Sequence, residues 1–265
     1  PLALGNESVW SLLLQYAIPS VIAMTAMSLY NITDRIFIGH GVGALAISGL
    51  AITFPLMNLS AAFGTLVGVG ASALMSLRLG QKDYITANKI LGNVLVLNLI
   101  FGLTYSVIVL LFLDQILLFF GASSETLPYA RDFMTIITLG NVVTHMYFGL
   151  NALMRATGNP KRSMYATIVS VIINVILAPL FIFGFKWGIR GAALATVIAQ
   201  TSMLIWQLSY FRNKENYIHF QKGTFRLKRK IVTDSMSIGL APFLMNVAGC
   251  IIVIIINQGL IKHGG

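Results

Sequence analysis

The stretch Ala87–Leu113, ANKILGNVLVLNLIFGLTYSVIVLLFL, is a continuous apolar run with a single charge, Lys89, near its start. A hydrocarbon core of about 30 Å takes about 20 helical residues, so a run of this length reads as a membrane-spanning helix. Strands of a membrane barrel would alternate apolar and polar residues, and this run does not. The rest of the 265-residue chain agrees: 57% of it is hydrophobic, 10% is charged, and the mean hydropathy is +0.82. A typical soluble domain is about 25% charged. This chain has too few polar residues to cover a water-facing surface, so lipid is the solvent for most of it.

Working outward, six further apolar runs appear: Ser11–Ile38, Leu45–Leu79, Phe133–Leu153, Arg162–Phe185, Ile189–Phe211 and Ser235–Ile261. The second is too long for one straight span. Pro55 and the run Gly64, Gly68, Gly70 predict a bend or an irregular start there, and the three glycines also allow close helix packing. Asp114–Phe120 is short and apolar on one side, which predicts an interfacial segment.

The basic residues divide unevenly between the two ends of these spans. Arg78, Lys82, Lys89, Arg155, Lys161, Arg162, Arg212, Lys214, Lys222, Arg226, Lys228, Arg229 and Lys230 fall on one side; Arg35, Arg131, Lys186, Arg190 and Lys262 fall on the other. Positive residues stay on the cytoplasmic side, so the N-terminus is expected in the cytoplasm. The formal +10 is then a topology signal, which removes the nucleic-acid reading that the same charge would carry in a soluble protein. The Arg226–Lys230 cluster also suits contact with anionic lipid. Cys250 is the single cysteine, so an internal disulfide is excluded.

The seventh run resembles the first. At an offset of 223 residues, Pro19 meets Pro242, Ile32 meets Ile255, Ile38 meets Ile261, and His40-Gly41 meets His263-Gly264, while Asp34 falls on Asn257. Both runs start on the same side, which describes a parallel repeat of six helices, a transporter architecture. The expected fold is an all-α membrane protein. Residues 1–211 form an N-terminal six-helix lobe, 212–234 a basic cytoplasmic inter-lobe linker, and 235–265 the first helix of a C-terminal lobe in a twelve-helix whole.

Charges inside a bilayer are costly and are functional candidates by default. The only acid well inside an apolar run is Asp34, roughly 6 Å from the outer end of its helix. Adjacent helical residues point to different faces, so Arg35 need not neutralise it; Tyr30, one turn earlier, shares its face. Asn174 lies roughly 15 Å in and Thr196 roughly 12 Å in from the same side. Asp34, Tyr30, Asn174 and Thr196 are therefore expected to converge. An interfacial ion at Asp34 and helix-packing roles for Asn174 and Thr196 are the competing readings. Desolvation disfavours the charged form of any carboxyl, so proton uptake at such a site couples to local geometry. Pro19 removes a backbone hydrogen bond and predicts a kink, either static or a hinge. His145, in the middle of its helix, is read as packed and neutral or as lining a cavity. Asn151 is too far from Asp34 to join it. No nucleotide-binding, zinc-protease or paired-cysteine motif is present.

The segments Ile18-Pro19-Ser20, Asp34 with Ile38-Gly39, GVGASALMSLRLGQKD (68–83), LMRATGNPKRSM (153–164), NVILAPLFIFG (174–184) and GIRGAALATVIAQ (188–200) together resemble the multidrug and toxic compound extrusion (MATE) family. The resemblance is close to its bacterial DinF- and MepA-like branch. The resemblance implies a two-lobe exporter of amphiphilic organic, often cationic, small molecules in the bacterial cytoplasmic (inner) membrane, antiporting them against protons or sodium and acting as a monomer. It assigns ion coupling to Asp34, Asn174 and Thr196 and bending of the first helix to Pro19; from the residues themselves, Tyr30 and His145 are the candidates for lining the cavity. Many relatives carry a second acid one turn after the asparagine that corresponds to Asn174; here that position is Ala178. A single-carboxylate proton mechanism is then the simpler reading, with sodium at Asp34, Asn174 and Thr196 as the alternative and no other metal or cofactor. A lipid-linked glycan flippase would need a strongly cationic cavity, and few basic residues lie inside the spans. A membrane-embedded enzyme would need paired acids, a His–Asp set or metal ligands at membrane depth, which one Asp and one unpaired His do not supply.

Overall fold

Ser8 caps the first helix by accepting the Ser11 amide, and α1 then runs Val9–Gly41. The computed structural model describes residues 8–221 and 223–263. After α1 come α2 (Ala44–Gly80), α3 (Tyr84–Leu111), a short α4 (Leu113–Phe119), α5 (Leu127–Leu139), α6 (Asn141–Ala156) and α7 (Pro160–Pro179). A π-helical turn (Leu180–Gly184) ends α7, and α8 (Gly188–Arg212) and α9 (Arg229–His263) complete the order. No strand occurs among the described residues. Six helices are long and apolar enough to span a membrane, and α5 with α6 forms a seventh, bent span. The side chains of Asn257, Ile261, Lys262 and His263, and residues Lys222 and Gly264, lie outside the described residues.

Two boundaries depart from the hydropathy reading, and the second span carries its proline without a break in the helix. The fourth span, expected as one run, is two helices bent by 56° at Gly140. Here α8 presses close: a Cβ on Gly140 would stand 2.5 Å from a Val197 methyl. Beside the break, Ser106 donates its hydroxyl to the Thr138 carbonyl at 2.7 Å. The second span, expected to bend or start irregularly, is one unbroken helix through Pro55. Near the proline, Tyr105 donates to the Leu56 carbonyl at 2.7 Å and Cys250 to the Pro55 carbonyl at 3.5 Å from other helices, while Thr53 donates to Leu50 within α2 at 2.6 Å. Finally, α9 begins at Arg229, before the apolar run starts at Ser235, because hydrocarbon thickness limits the apolar length and not the helix.

The exposed faces are apolar. Along α3, Leu99, Leu103, Val107 and Leu111 are exposed at four-residue spacing, which makes a stripe suited to lipid. Inside, two apolar clusters form. One joins α2, α3, α6 and the end of α8, and the other joins α2, α5, α7 and the start of α8. Only Pro19, Asp34 and Ile38 of α1 are buried, and α1 packs mainly on α7.

The segment between α8 and α9 is clasped to the start of α3. Asn93, 1% exposed, donates to the carbonyls of Thr224 at 3.3 Å and Arg226 at 3.1 Å, and accepts the Lys228 amide at 2.8 Å. Asn88 accepts the His219 amide at 2.8 Å. A Cβ on Gly92 would overlap the Thr224 backbone, so the absence of a side chain there permits the contact. Helix α9 packs on α2 in the same way: a Cβ on Gly70 would overlap the Ser235 carbonyl, and one on Gly239 would overlap the Leu66 carbonyl. The glycine expectation therefore holds at Gly70 and at Gly68, which faces Gly149. At Gly64 the nearest atom is 4.0 Å away, so packing is not what requires a glycine there.

Two outcomes follow. Gly239→Val should lower the thermal midpoint in detergent by an amount corresponding to about 1–3 kcal/mol of overpacking, while Gly249→Val, with nothing within 4 Å, should leave it unchanged. Asn93→Ala removes three bonds to the connecting segment, each worth about 1 kcal/mol. Trypsin should then cut at Arg226 and Lys228 several times faster than in the wild type, and equal rates would refute the clasp.

Candidate functional site

Most of the α7 surface is apolar, and Tyr165, Val169, Ile172 and Ile176 are exposed. Its polar residues keep to the opposite face. Ser163, Thr167, Ser170 and Asn174 follow at helical spacing, all are buried, and Ala178 ends the row fully buried. Polar side chains in a lipid-facing bundle turn inward because the hydrocarbon offers them no partner. The row faces α1 and α6.

At the upper end of this row three helices meet on one hydroxyl. Tyr30 of α1 lies 2.9 Å from Thr196 Oγ1, and Asn174 Nδ2 of α7 donates to the same oxygen at 3.0 Å. Thr196 in turn donates to the Ala192 carbonyl at 3.2 Å. A threonine hydroxyl has one proton and two lone pairs. With its proton on Ala192 and one lone pair taken by Asn174, Tyr30 is the donor in its own bond. The Thr196 oxygen is thereby saturated.

Asp34 stands one turn beyond Tyr30 on α1 and is 7% exposed. Its Oδ1 has no hydrogen-bond partner among the described residues. Arg35 is exposed on another face. The structure thus brings Tyr30, Asn174 and Thr196 into one network, with Asp34 adjacent to it and not bonded into it. Ala178, one turn past Asn174, adds no second carboxylate.

Two cavities lie along the seam between α1, α6 and α7. The smaller, about 40 Å³, is lined by Tyr30, Tyr147, Ser170, Asn174, Thr196 and Gln200. The larger, about 320 Å³, is lined by Pro19, Ser20, Asn151, Arg155, Ser163 and Met164, among others. Met27, Phe148 and Thr167 border both. Asp34 lines neither.

Pro19 is buried and lines the larger cavity. His145, a candidate for lining the cavity by its position in the helix, lines neither one. It is 1% exposed, with Nε2 3.0 Å from Ser60 Oγ, and Ser60 donates to Asn141 Oδ1 at 2.5 Å. The bend at Gly140 turns α6 so that His145 faces α2 instead of the seam. Asn151 stands apart from Asp34, in the wall of the larger cavity. Sequence reasoning missed Gln200, Tyr147 and Arg155. Gln200 was legible, since it follows Thr196 by four residues and accepts from Thr144 at 2.5 Å. Tyr147 and Arg155 were not, because the break at Gly140 decides which way α6 faces.

The MatE family model matches residues 19–180. The multidrug export protein MepA of Staphylococcus haemolyticus is 32% identical over 259 residues, which cover 98% of this chain and 57% of that protein. MepA of Staphylococcus aureus strain NCTC 8325 is 28% identical over the same length. Among solved structures, the MATE multidrug transporter DinF-BH superposes with a TM-score of 0.92 at 33% identity, covering 98% of this chain and 58% of that one. An outward-facing MATE family transporter of the MOP superfamily gives 0.84 at 26% identity, over 89% of this chain and 52% of that one. The chain therefore spans a little over half the length of the relatives it matches. An all-α, multi-span membrane chain that aligns from α1 to α9 with these transporters belongs to the MATE family.

Proposed function

We propose that this chain carries the coupling lobe of a secondary active multidrug exporter, which antiports organic, often cationic, compounds against protons by alternating access. Its setting is the bacterial cytoplasmic membrane, with the N-terminus on the cytoplasmic side, as the basic loops favour. In this reading residues 1–211 are the lobe, 212–234 connect it, and 235–265 open the second lobe. The observation that carries the reading is the saturated Thr196 hydroxyl, bonded by Tyr30, with an unpaired Asp34 oxygen one helical turn beyond Tyr30.

A buried carboxylate without a partner is costly, and neutralising it removes the cost. Proton uptake at Asp34 adds an O–H that must find an acceptor nearby, where Tyr30 and Thr196 already share their protons. Rearranging that network moves α1, because Tyr30 joins α1 to α8 and few other α1 side chains are buried. Pro19 interrupts the helical ladder fifteen residues below Asp34, which supports a hinge at that level. Bending there narrows the seam, and the bound compound leaves outward.

Sodium is the less economical ion. A cation bound to Thr196 Oγ1 would have to displace the Tyr30 or Asn174 bond, because both lone pairs are in use. A proton on Asp34 displaces neither.

In inverted vesicles holding the full-length protein, Asp34→Asn should reduce proton-driven ethidium transport to the level of protein-free vesicles; undiminished transport would remove Asp34 from the mechanism. With the wild type, a proton gradient should drive transport, and a sodium gradient of equal size should not. Sodium-driven transport would overturn the choice of ion and leave the role of Asp34 intact. Thr196→Val leaves the Tyr30 hydroxyl and the Asn174 amide unpaired, at about 1–3 kcal/mol each. It should lower the thermal midpoint more than Thr201→Val, whose hydroxyl bonds only its own helix at 2.6 Å.

A further inference from the structure

The larger cavity, at the opposite end of the seam from Asp34, has a charge of its own. Of the side chains that line the two cavities, Arg155 alone is ionic. Its hydrogen bonds run from Nη1 to neutral oxygens, Asn151 Oδ1 at 3.3 Å and Ser163 Oγ at 3.1 Å. Ser163 also donates to Asn151, and Asn151 donates to Thr167 at 3.1 Å. The ion pairs among the described residues, Arg131–Asp114 and Arg190–Asp132, lie elsewhere, on α4, α5 and the start of α8. Arg155 therefore faces the cavity with a full charge, held in place by neutral groups and neutralised by none.

The arrangement is directional. The guanidinium fork matches the two oxygens of a carboxylate or a phosphate, and the bonds to Asn151 and Ser163 fix one nitrogen and leave Nε and Nη2 for a ligand. Pro19, Met24, Met27, Phe148 and Met164 form much of the apolar wall, and methionine adapts readily to irregular apolar surfaces. A volume of about 320 Å³ is within the range of small-molecule sites. A cation with an apolar wall fits a molecule that has an oxyanion at one end and an apolar body at the other.

We propose that this cavity binds the oxyanion of an amphiphile, a carboxylate or a phosphate, with Arg155 as its ionic contact and the methionine wall against its apolar part. The site is separate from the coupling role of Asp34 and adds an anion-selective end to the seam. Ligands that carry both charges would then span it, with the cationic group toward Asp34.

The test is equilibrium binding to the purified full-length protein in phosphatidylcholine nanodiscs. The probes are dansyl-undecanoate and its methyl ester, which differ only in the anionic end. The wild type should bind the acid about tenfold more tightly, the size of one charge-assisted hydrogen-bond pair. Arg155→Gln should bind the two equally, and Arg155→Lys should keep part of the preference, which separates lost charge from lost folding. Displacement by phosphatidylglycerol in the nanodisc would identify a lipid headgroup as the occupant, and displacement by inorganic phosphate would identify a free anion; either supports an oxyanion site. Equal affinity of the wild type for acid and ester, or a preference that survives in Arg155→Gln, overturns the proposal. The readout needs no transport, so it stands or falls apart from the Asp34→Asn result.

Discussion

Thr196 Oγ1 is the atom on which α1, α7 and α8 converge, and much else in the lobe depends on it. Its proton goes to Ala192, and its lone pairs go to Asn174 and Tyr30. In water a lost bond of this kind would be replaced by solvent. In a hydrocarbon layer a polar group relies on partners inside the protein. Because α1 buries few residues, the Tyr30 bond is among the few polar ties between its C-terminal half and the rest of the lobe. In the proposed mechanism, a change of charge at Asp34, one turn from that tie, acts on a helix that buries few of its own side chains, so no long relay is needed between the titrating group and the motion.

The same shortage of solvent organises the rest of the chain. Where helices come closest, α2 against α9, glycines give backbone-to-backbone approach, because in lipid close packing must do what the hydrophobic effect does in water. Where α6 leaves α5, a serine hydroxyl takes a carbonyl beside the break. Where the connecting segment leaves the bundle, asparagines on α3 bind its backbone groups, which strand or helix pairing would otherwise satisfy. Each of these hydrogen bonds pairs a group that would be costly if left alone.

Much of this was written in composition and spacing. Long apolar runs imply helices, because a backbone in hydrocarbon must satisfy its own hydrogen bonds. A single acid inside such a run points to itself as a candidate. The depths of Asn174 and Thr196 follow from counting residues along helices of known rise. The polar row Ser163, Thr167, Ser170 and Asn174 was equally countable, since it repeats at the helical period.

Tertiary packing decided what counting cannot reach. Hydropathy sees Phe133–Leu153 as one run, but in the fold it is two helices bent by 56°, with Val197 packed close to Gly140 at the break. That turn sends His145 toward Ser60 and away from the cavities, and it brings Tyr147 and Arg155 to the seam. Likewise, α2 runs on through Pro55, beside which Tyr105 and Cys250 donate from other helices, contacts that hydropathy does not show. The number of spans and the identity of the one buried acid are local properties of a helix in lipid, so the sequence alone determined them. The direction in which a side chain faces depends on which neighbour fills the space beside it, and that is settled only when the helices pack.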